Sequence, residues 1–207
     1  MKLSQRLFTL ASCVKQGANV ADIGADHGLL SIYLVKQGIA KKVFAVENKI
    51  GPFNSLKKNT NDYPQITCSL SDGISGIPPE IDTVVIAGMG GILISDILKK
   101  NKDKLEHVNN IIIDAHRDVE IVRKTLNDLG YELVKEVLVQ EEHFYHIISA
   151  QKGLSKLTDI EYEFGYKIEK DPLFLFYKEK LLNRYEQNYS KNNSLELKDK
   201  IERLKKL

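Results

Sequence analysis

The first candidate site is the sequence DIGADHG (residues 22–28), which directly follows a short apolar run. Glycines between a strand and a helix let the backbone approach a ligand closely. The dinucleotide fingerprint GxGxxG is absent, and the acidic side chains of Asp22 and Asp26 suit a pyrophosphate poorly. They suit a cationic ligand such as S-adenosylmethionine, which carries a sulfonium and an ammonium group. The alternative is an ordinary turn in which Asp26 caps the next helix.

Two more acidic residues follow later apolar runs. Glu47 ends KVFAVE, 23 residues after Gly24, which is close to the spacing of about 20 at which an acidic side chain binds ribose hydroxyls. Asp72 lies in SDG after the next run, where it suits an adenine amino group; a solvent-exposed turn is the competing interpretation. In a doubly wound sheet these loops open on one carboxyl edge, so we predict a single site.

The loop GMGG (residues 88–91) follows the most apolar run of the chain. Its three glycines leave little side-chain bulk, so a ligand can approach the backbone closely there. The loop opens on the same predicted edge as the acidic residues. We therefore expect it to form another wall of the same pocket.

The elements that must position these residues alternate between strand-like and helix-like runs. The predicted strands are 20–23, 42–46, 66–70, 83–87 and 110–114, and the predicted helices are 29–36, 52–59, 91–99 and 119–129. Near-continuous Val and Ile runs, each followed by a helix, predict a parallel sheet covered on both faces. The N-terminal segment reads as a short amphipathic helix.

The pattern changes after Gly130. Two strand-like runs, 131–139 and 144–150, are separated by only four residues, QEEH, so they are predicted to form an antiparallel hairpin. Five parallel strands followed by such a hairpin are typical of class I methyltransferases. We therefore predict an α/β fold: a Rossmann-like, mostly parallel seven-stranded sheet with a C-terminal antiparallel hairpin, covering residues 1–152.

Residues 153–207 are predicted to form a helical, coiled-coil-type domain, and residues 151–165 read as the connector that leads into it. Apolar residues recur every three or four positions from Phe174 to Leu204, and Ser194 is placed to cap a second helix. Packing of this apolar stripe on the first domain is the alternative to a free helical hairpin. We expect a monomer, with self-association through these helices as the other possibility.

Composition narrows the class further. The 207 residues carry a net charge of +2, two cysteines and five dispersed histidines. The net charge is too small to indicate a nucleic-acid-binding protein by itself. The two cysteines show no pairing pattern, which indicates a reducing cytoplasm, and the dispersed histidines offer no ligand spacing, so we predict no metal site. No apolar run reaches the roughly 18–20 residues that a membrane span needs, so we predict no membrane partner.

The segments VADIGADHG, AVENKIGPF, SDGI and DTVVIAGMGGILISDIL resemble the bacterial tRNA adenine-N1 methyltransferases that modify adenine 22, the TrmK family. The resemblance extends over the whole chain, from Arg6-Leu7 to Phe164-Gly165 and the helical C-terminus, and its most specific parts are the DHG turn and the GMGG loop. It implies S-adenosylmethionine as methyl donor, tRNA as acceptor, and N1 of the adenine as the methylated atom. An N1 lone pair has no proton to lose, which agrees with the absence of the Asn/Asp-Pro-Pro motif typical of amino methyltransferases.

The resemblance also implies roles for individual residues. The implied cofactor-binding residues are Asp22, Gly24, Ala25, Asp26, Gly28, Glu47, Asn48, Asp72, Gly73, Ala87 and Gly88. The implied catalytic residues are Asp26 and His27, and the implied substrate-binding residues are Met89 and Gly90. Asp114 and His116 are further substrate-binding candidates, because they follow the fifth strand at the mouth of the predicted base pocket. Candidate phosphate contacts, which solvated helix faces would equally explain, are Lys41, Lys42, Lys57, Lys58, Arg184, Lys191, Lys198, Arg203, Lys205 and Lys206.

The chain departs from the family pattern at two places. Leu29 stands where the family usually has Tyr, and Asp114-Ala115-His116 stands where it usually has Gln-Pro-Asn. The alternatives therefore include a class I methyltransferase acting on another RNA, a protein or a small molecule, and a non-catalytic RNA-binding relative. A nicotinamide dehydrogenase is disfavoured by the absent GxGxxG, the acidic Asp26 and the terminal hairpin.

Overall fold

A computed structural model describes residues 3–154 and 156–207. Its elements in chain order are α1 (Gln5–Cys13), β1 (Ala18–Ile23), α2 (Leu29–Lys36), β2 (Ala40–Glu47), α3 (Ile50–Thr60), β3 (Ile66–Leu70), β4 (Thr83–Met89), α4 (Gly91–Lys100), β5 (Asn110–Ala115), α5 (Val119–Asp128), β6 (Tyr131–Gln140), β7 (Phe144–Lys152), α6 (Asp159–Phe164), α7 (Phe174–Asn192) and α8 (Leu195–Lys206). Short 3₁₀ turns occupy Lys102–Leu105 and Ile168–Lys170.

The seven strands form one sheet in the order β3-β2-β1-β4-β5-β7-β6. Strands β1 to β5 pair in parallel, whereas β7 runs antiparallel to both β5 and β6. The predicted fold class and terminal hairpin are therefore confirmed. The strand order reverses between β1 and β4, and a doubly wound sheet opens its ligand crevice at the carboxyl edge beside such a reversal.

Both faces of the sheet are covered, which explains why its central strands read as continuous apolar runs. In β5, Ile111 and Ile113 join one core cluster with Ile94 of α4. The intervening Ile112 joins the opposite cluster with Leu10 of α1. Burying each such side chain stabilises the fold by roughly 1.5–3 kcal/mol, and the alternation fixes which residues of β5 face α1.

Helix α1 packs against β5, β6 and β7. Ser4 caps it, since its hydroxyl accepts a hydrogen bond from the Leu7 backbone N–H at 3.3 Å. The turn between β6 and β7 is closed by a hydrogen bond from the Glu141 N–H to the His143 carbonyl at 3.0 Å. This packing brings the first residues of the chain to the hairpin end of the carboxyl edge.

The C-terminal region differs in one respect from the prediction. The segment expected to be only a connector contains helix α6, which begins with a capping box between Thr158 and Glu161. Six residues are too few for a helical period to be visible in the sequence, so only the capping pattern could have indicated this helix. Ser194 caps α8 as predicted, its hydroxyl accepting from the Leu197 N–H at 3.4 Å.

Helices α7 and α8 pack together and against the first domain. Phe174 and Leu181 of α7 and Leu204 of α8 share a core cluster with Leu138 of β6. The apolar stripe of these helices therefore packs on the first domain, which the sequence left open as the alternative to a free helical hairpin. The division of the chain at residues 152 and 153 stays a prediction.

Within residues 3–154 and 156–207, no helix is both long enough and apolar enough to cross a membrane. The same residues contain no group of three or more His, Cys, Asp or Glu side chains that could hold a metal ion. Cys13 and Cys68 are both free thiols.

Candidate active site

A cavity of about 630 Å³ lies at the carboxyl edge of the sheet, where β1, β2 and β4 end. Its walls come from the loops after these strands, from the SDG turn and from the start of α1. The lining residues include Arg6, Leu7, Asp22, Gly24, Ala25, Asp26, His27, Leu29, Glu47, Asn48, Asp72, Gly73, Ala87, Gly88, Met89, Gly90 and Leu93. The single site expected from the strand-end residues is thus one continuous pocket.

The turn after β1 folds tightly over the neighbouring strand. The N–H groups of Gly24 and Ala25 both donate to the Val46 carbonyl at 2.9 Å. Gly24 has φ +75°, and a Cβ at this position would lie 2.5 Å from the Met89 methyl carbon. The positive φ favours glycine at this position, and the contact with Met89 shows that the first turn and the GMGG loop meet at Gly24.

Asp26 does not cap α2, which was the alternative that the sequence left open. It adopts φ +50°, and its side chain is 63% exposed. The N-cap of α2 is Gly28, and no side chain caps that helix. The Asp26 carboxylate lines the pocket and is not bound to the helix start. Its Oδ1 lies 3.7 Å from His27 Nε2.

Asp22 supplies a buried carboxylate at the pocket wall. Its Oδ2 accepts a 2.6 Å hydrogen bond from the Ser31 hydroxyl. Burial raises the pKa of Asp22 to about 6, although the bond from Ser31 works in the opposite direction. No basic side chain in the described part of the chain pairs with it. An unpaired carboxylate in a pocket favours a cationic ligand, because that ligand would supply the missing charge.

Glu47 is held by backbone donors. Its Oε1 accepts from the N–H groups of Asn48 and Lys49 at 3.0 and 2.9 Å, and its Oε2 accepts from the Asp26 N–H at 3.2 Å. These bonds fix a carboxylate whose remaining lone pairs can accept from hydroxyl groups. The Asn48 amide also donates to Asp72 Oδ1 at 3.4 Å, which links the second and third strand ends.

Most of the predicted residues meet in this pocket. All the predicted cofactor-binding residues except Gly28 line it, as do His27, Met89 and Gly90. Gly28 packs against α3 instead: it has φ +74°, and a Cβ there would lie 2.7 Å from Leu56 Cδ1. Asp114 and His116 are not lining residues either.

Arg6 stands in the pocket wall where the sequence analysis assigned no role. It forms an ion pair with Asp114, whose side chain is fully buried, while the Arg6 side chain is 21% exposed. The pairing joins residues 108 positions apart, so no local spacing could have revealed it. The sequence pointed to Arg6 only as part of the Arg6-Leu7 segment at the start of the family resemblance.

A mostly parallel sheet with a terminal antiparallel hairpin, and with carboxylates in place of a phosphate-binding fingerprint, defines a class I S-adenosylmethionine-dependent methyltransferase. A family model described as "Methyltransferase domain" matches residues 3–148, and the chain belongs to that family. The identification agrees with the absence of GxGxxG noted from the sequence.

Individual relatives identify a more specific family within the methyltransferases. The tRNA (adenine(22)-N(1))-methyltransferase of Bacillus subtilis is 36% identical over 158 residues, which are 74% of this chain and 66% of that protein. The structure of Streptococcus pneumoniae Sp1610 with S-adenosyl-L-methionine has a TM-score of 0.93, 31% identity and 99% coverage of both chains. That of M. capricolum TrmK with S-adenosyl-homocysteine has a TM-score of 0.88 and 29% identity, covering 100% of this chain and 97% of that one. This chain is a member of the bacterial tRNA (adenine(22)-N(1))-methyltransferase family.

Proposed function

We propose that this protein transfers the methyl group of S-adenosylmethionine to N1 of adenine 22 in tRNA. The observation that carries the proposal is the set of three strand-end carboxylates around one pocket, of which the buried Asp22 has no cationic partner among the described residues. We infer the acceptor from the Bacillus subtilis relative, which is a tRNA (adenine(22)-N(1))-methyltransferase.

The pocket residues fit the methyl donor at three points. The Glu47 carboxylate accepts hydrogen bonds from the ribose hydroxyls, and the Asp72 carboxylate accepts one from the adenine amino group. Asp22 faces the positively charged end of the methyl donor. The backbone at Gly24 and Gly88, both with positive φ, leaves room for close approach. S-adenosylmethionine supplies an electrophilic methyl group on its sulfonium sulfur.

The residues of this chain then have to orient the acceptor and stabilise a positive charge. Adenine N1 attacks through its lone pair, so no general base is needed before methyl transfer. Orientation and exclusion of water supply several kcal/mol. The methylated ring is cationic, and the Asp26 carboxylate stabilises it; His27, which also lines the pocket, is the second candidate.

The identity of the product tests the proposal. The protein is incubated with labelled methyl donor and unmodified total tRNA, and the digested nucleosides are identified by mass and retention. We expect 1-methyladenosine. A different methylated nucleoside would indicate another target atom. Absence of methylation with intact donor binding would indicate a non-catalytic relative.

Asp26→Asn tests the charge that stabilises the product. We expect kcat to fall by about 10²-fold, the scale reported for removal of one preoriented electrostatic group, with a much smaller change in donor affinity. Single-turnover methylation and donor titration measure the two quantities. Equal losses in both would make Asp26 a cofactor ligand only.

The C-terminal helices supply cations for tRNA phosphates. Arg203 and Lys200 pair with Glu163, and Lys205 pairs with Glu186. Of the six tail cations that the sequence analysis named as candidate phosphate contacts, Arg184, Lys191, Lys198 and Lys206 form no ion pair with any described residue. These four are the tail residues that we assign to phosphate contact. We also propose that the protein is cytoplasmic and acts as a monomer.

Substitution of these cations tests the assignment better than deletion of the tail, because α7 helps to bury Leu138. Lys191→Gln combined with Lys198→Gln should reduce the slope of tRNA affinity against salt by about 1 per residue. Lys205→Gln is the matched control, since Lys205 is already paired. An unchanged slope in the double variant would remove the tail from the RNA interface.

A further inference from the structure

Arg6 separates a polar cluster from the pocket. Its side chain lines the cavity, whereas the four groups that hold it, Asp114, His116, Glu141 and Tyr145, are not lining residues. These groups come from β5, the loop after it, the hairpin turn and β7. Arg6 is therefore the one member of the cluster that is placed to touch a bound ligand.

Contacts from four residues hold the guanidinium group of Arg6 in place. Nη1 bonds to the Asp114 carboxylate and lies 3.5 Å from His116 Nε2, while Nε lies 3.9 Å from Glu141 Oε2. The Arg6 backbone N–H also donates to Glu141 Oε1 at 2.9 Å. The guanidinium group lies over the Tyr145 ring, with Cζ 5.2 Å from the ring centroid. Tyr145 is supported in turn by an edge contact from His116 at 5.0 Å.

The charges of the cluster argue against a role for Arg6 as a free cation. Both the sulfonium of the methyl donor and the methylated adenine are positive, and an unpaired arginine beside them would oppose the reaction. Asp114 and Glu141 offset that charge, so what Arg6 offers to the pocket is a fixed flat surface. Guanidinium planes are recurrent stacking surfaces for unstacked bases in RNA recognition.

We propose that the face of the Arg6 guanidinium opposite Tyr145 stacks on the acceptor adenine, and that Asp114 is a positioning residue that holds this plane. The inference rests on the proposed function and adds the residue that orients the base. It also gives Asp114 an indirect role: the buried carboxylate acts through Arg6, and the tyrosine, guanidinium and adenine form three layers.

Arg6→Lys is the direct test, because it keeps the charge and removes the plane. We expect KM for tRNA to rise and kcat to fall, by about 10-fold or more together in kcat/KM, a loss on the scale of one stacked base. The dissociation constant of S-adenosylhomocysteine should stay within about twofold of the wild-type value, since Arg6 is assigned to the acceptor end.

Asp114→Asn tests the positioning role and also covers the case in which Arg6→Lys does not fold. Alone it should reduce kcat/KM for tRNA less than Arg6→Lys does, without weakening donor binding. Combined with Arg6→Lys it should cause no further loss, because its effect passes through the same side chain. Thermal unfolding of each variant identifies losses that are due to misfolding.

Several results would overturn the inference while the proposed function stands. One is wild-type kcat/KM for tRNA in Arg6→Lys. Another is a loss of S-adenosylhomocysteine binding as large as the loss of tRNA methylation, which would place Arg6 at the cofactor. Additive losses in the double variant would separate Asp114 from Arg6. Failure of the proposed function itself is seen differently, as absence of 1-methyladenosine with the unaltered protein.

Discussion

Asp22 and Glu136 are two buried carboxylates with opposite surroundings. Asp22 lies at the pocket wall and accepts hydrogen bonds from the hydroxyl and the backbone N–H of Ser31, and burial raises its pKa to about 6. Burial also works to raise the pKa of Glu136, but the Arg123 guanidinium and His146 outweigh it and lower the pKa to about 2. Asp22 lacks a countercharge, and a cationic ligand can supply one. Glu136 already has its countercharge within the protein.

The geometry around Glu136 explains the difference. Arg123 donates to both of its oxygens, from Nη2 at 2.6 Å and from Nε at 3.0 Å. His146 Nδ1 lies 2.6 Å from Oε1, and the Tyr166 N–H donates to Oε2 at 2.8 Å. Arg123 also donates to the Tyr162 carbonyl at 2.7 Å. This cluster therefore joins the first domain to the C-terminal region.

The Glu136 carboxylate stabilises the fold, whereas the Asp22 carboxylate is available to a ligand. A buried carboxylate with complete partners contributes to the fold, and its removal leaves the partners uncompensated. A buried carboxylate without a cation costs stability in the free protein, and this cost is recovered when a cationic ligand binds.

Glu136→Gln should have the largest effect. It leaves the buried Arg123 without its charge partner, so we expect a loss of about 3–5 kcal/mol in the free energy of unfolding. Chemical denaturation measures it. Glu120→Gln is the matched control, because Glu120 forms an exposed pair with Lys124 and exposed helical pairs contribute about 0.3–0.5 kcal/mol. Similar small losses for both variants would contradict the structural role.

The pH dependence of stability should differ in sign for the two groups. The lowered pKa of Glu136 stabilises the fold above its ordinary pKa of 4.5, and this contribution is lost as the pH falls toward about 2. The raised pKa of Asp22 favours the fold below 3.8, and that contribution is lost as the pH rises through about 6. Asp22→Asn should therefore remove the loss of stability between about pH 4 and pH 6.

Glu47→Gln should weaken cofactor binding by about 10- to 100-fold, because each hydrogen bond to a charged group contributes about 1.5–3 kcal/mol. Calorimetric titration with S-adenosylhomocysteine gives the dissociation constant. Glu80→Gln, which changes an exposed carboxylate away from the pocket, should leave it unchanged. If Glu47→Gln binds as the unaltered protein does, Glu47 does not hold the ribose.

Asp22 should give the smallest effect on binding, and a pH-dependent one. Affinity for S-adenosylmethionine should rise by up to about tenfold between pH 5 and pH 7, since the ligand favours the ionised form of a group with a pKa of about 6. Asp22→Asn should make the profile flat. A flat profile in the unaltered protein would mean that Asp22 does not face the charged end of the ligand.

The same contrast shows what the sequence could predict. The acidic residues of the pocket follow successive strands, and parallel strands bring their ends to one edge, so local patterns were enough to place Asp22, Glu47 and Asp72 together. Arg6 and the Glu136 cluster depend on contacts between distant parts of the chain. Arg123 and Glu136 have no periodic relation, and neither has a pattern that marks it as buried.

The most direct test of the account is a crystal structure of this protein grown with S-adenosylmethionine or its demethylated product. We predict the ribose hydroxyls on Glu47, the adenine amino group at Asp72, and the amino-acid end of the ligand beside Asp22 and Gly24. A ligand bound elsewhere, or a ribose without contact to Glu47, would contradict the claim that these strand-end carboxylates bind the methyl donor.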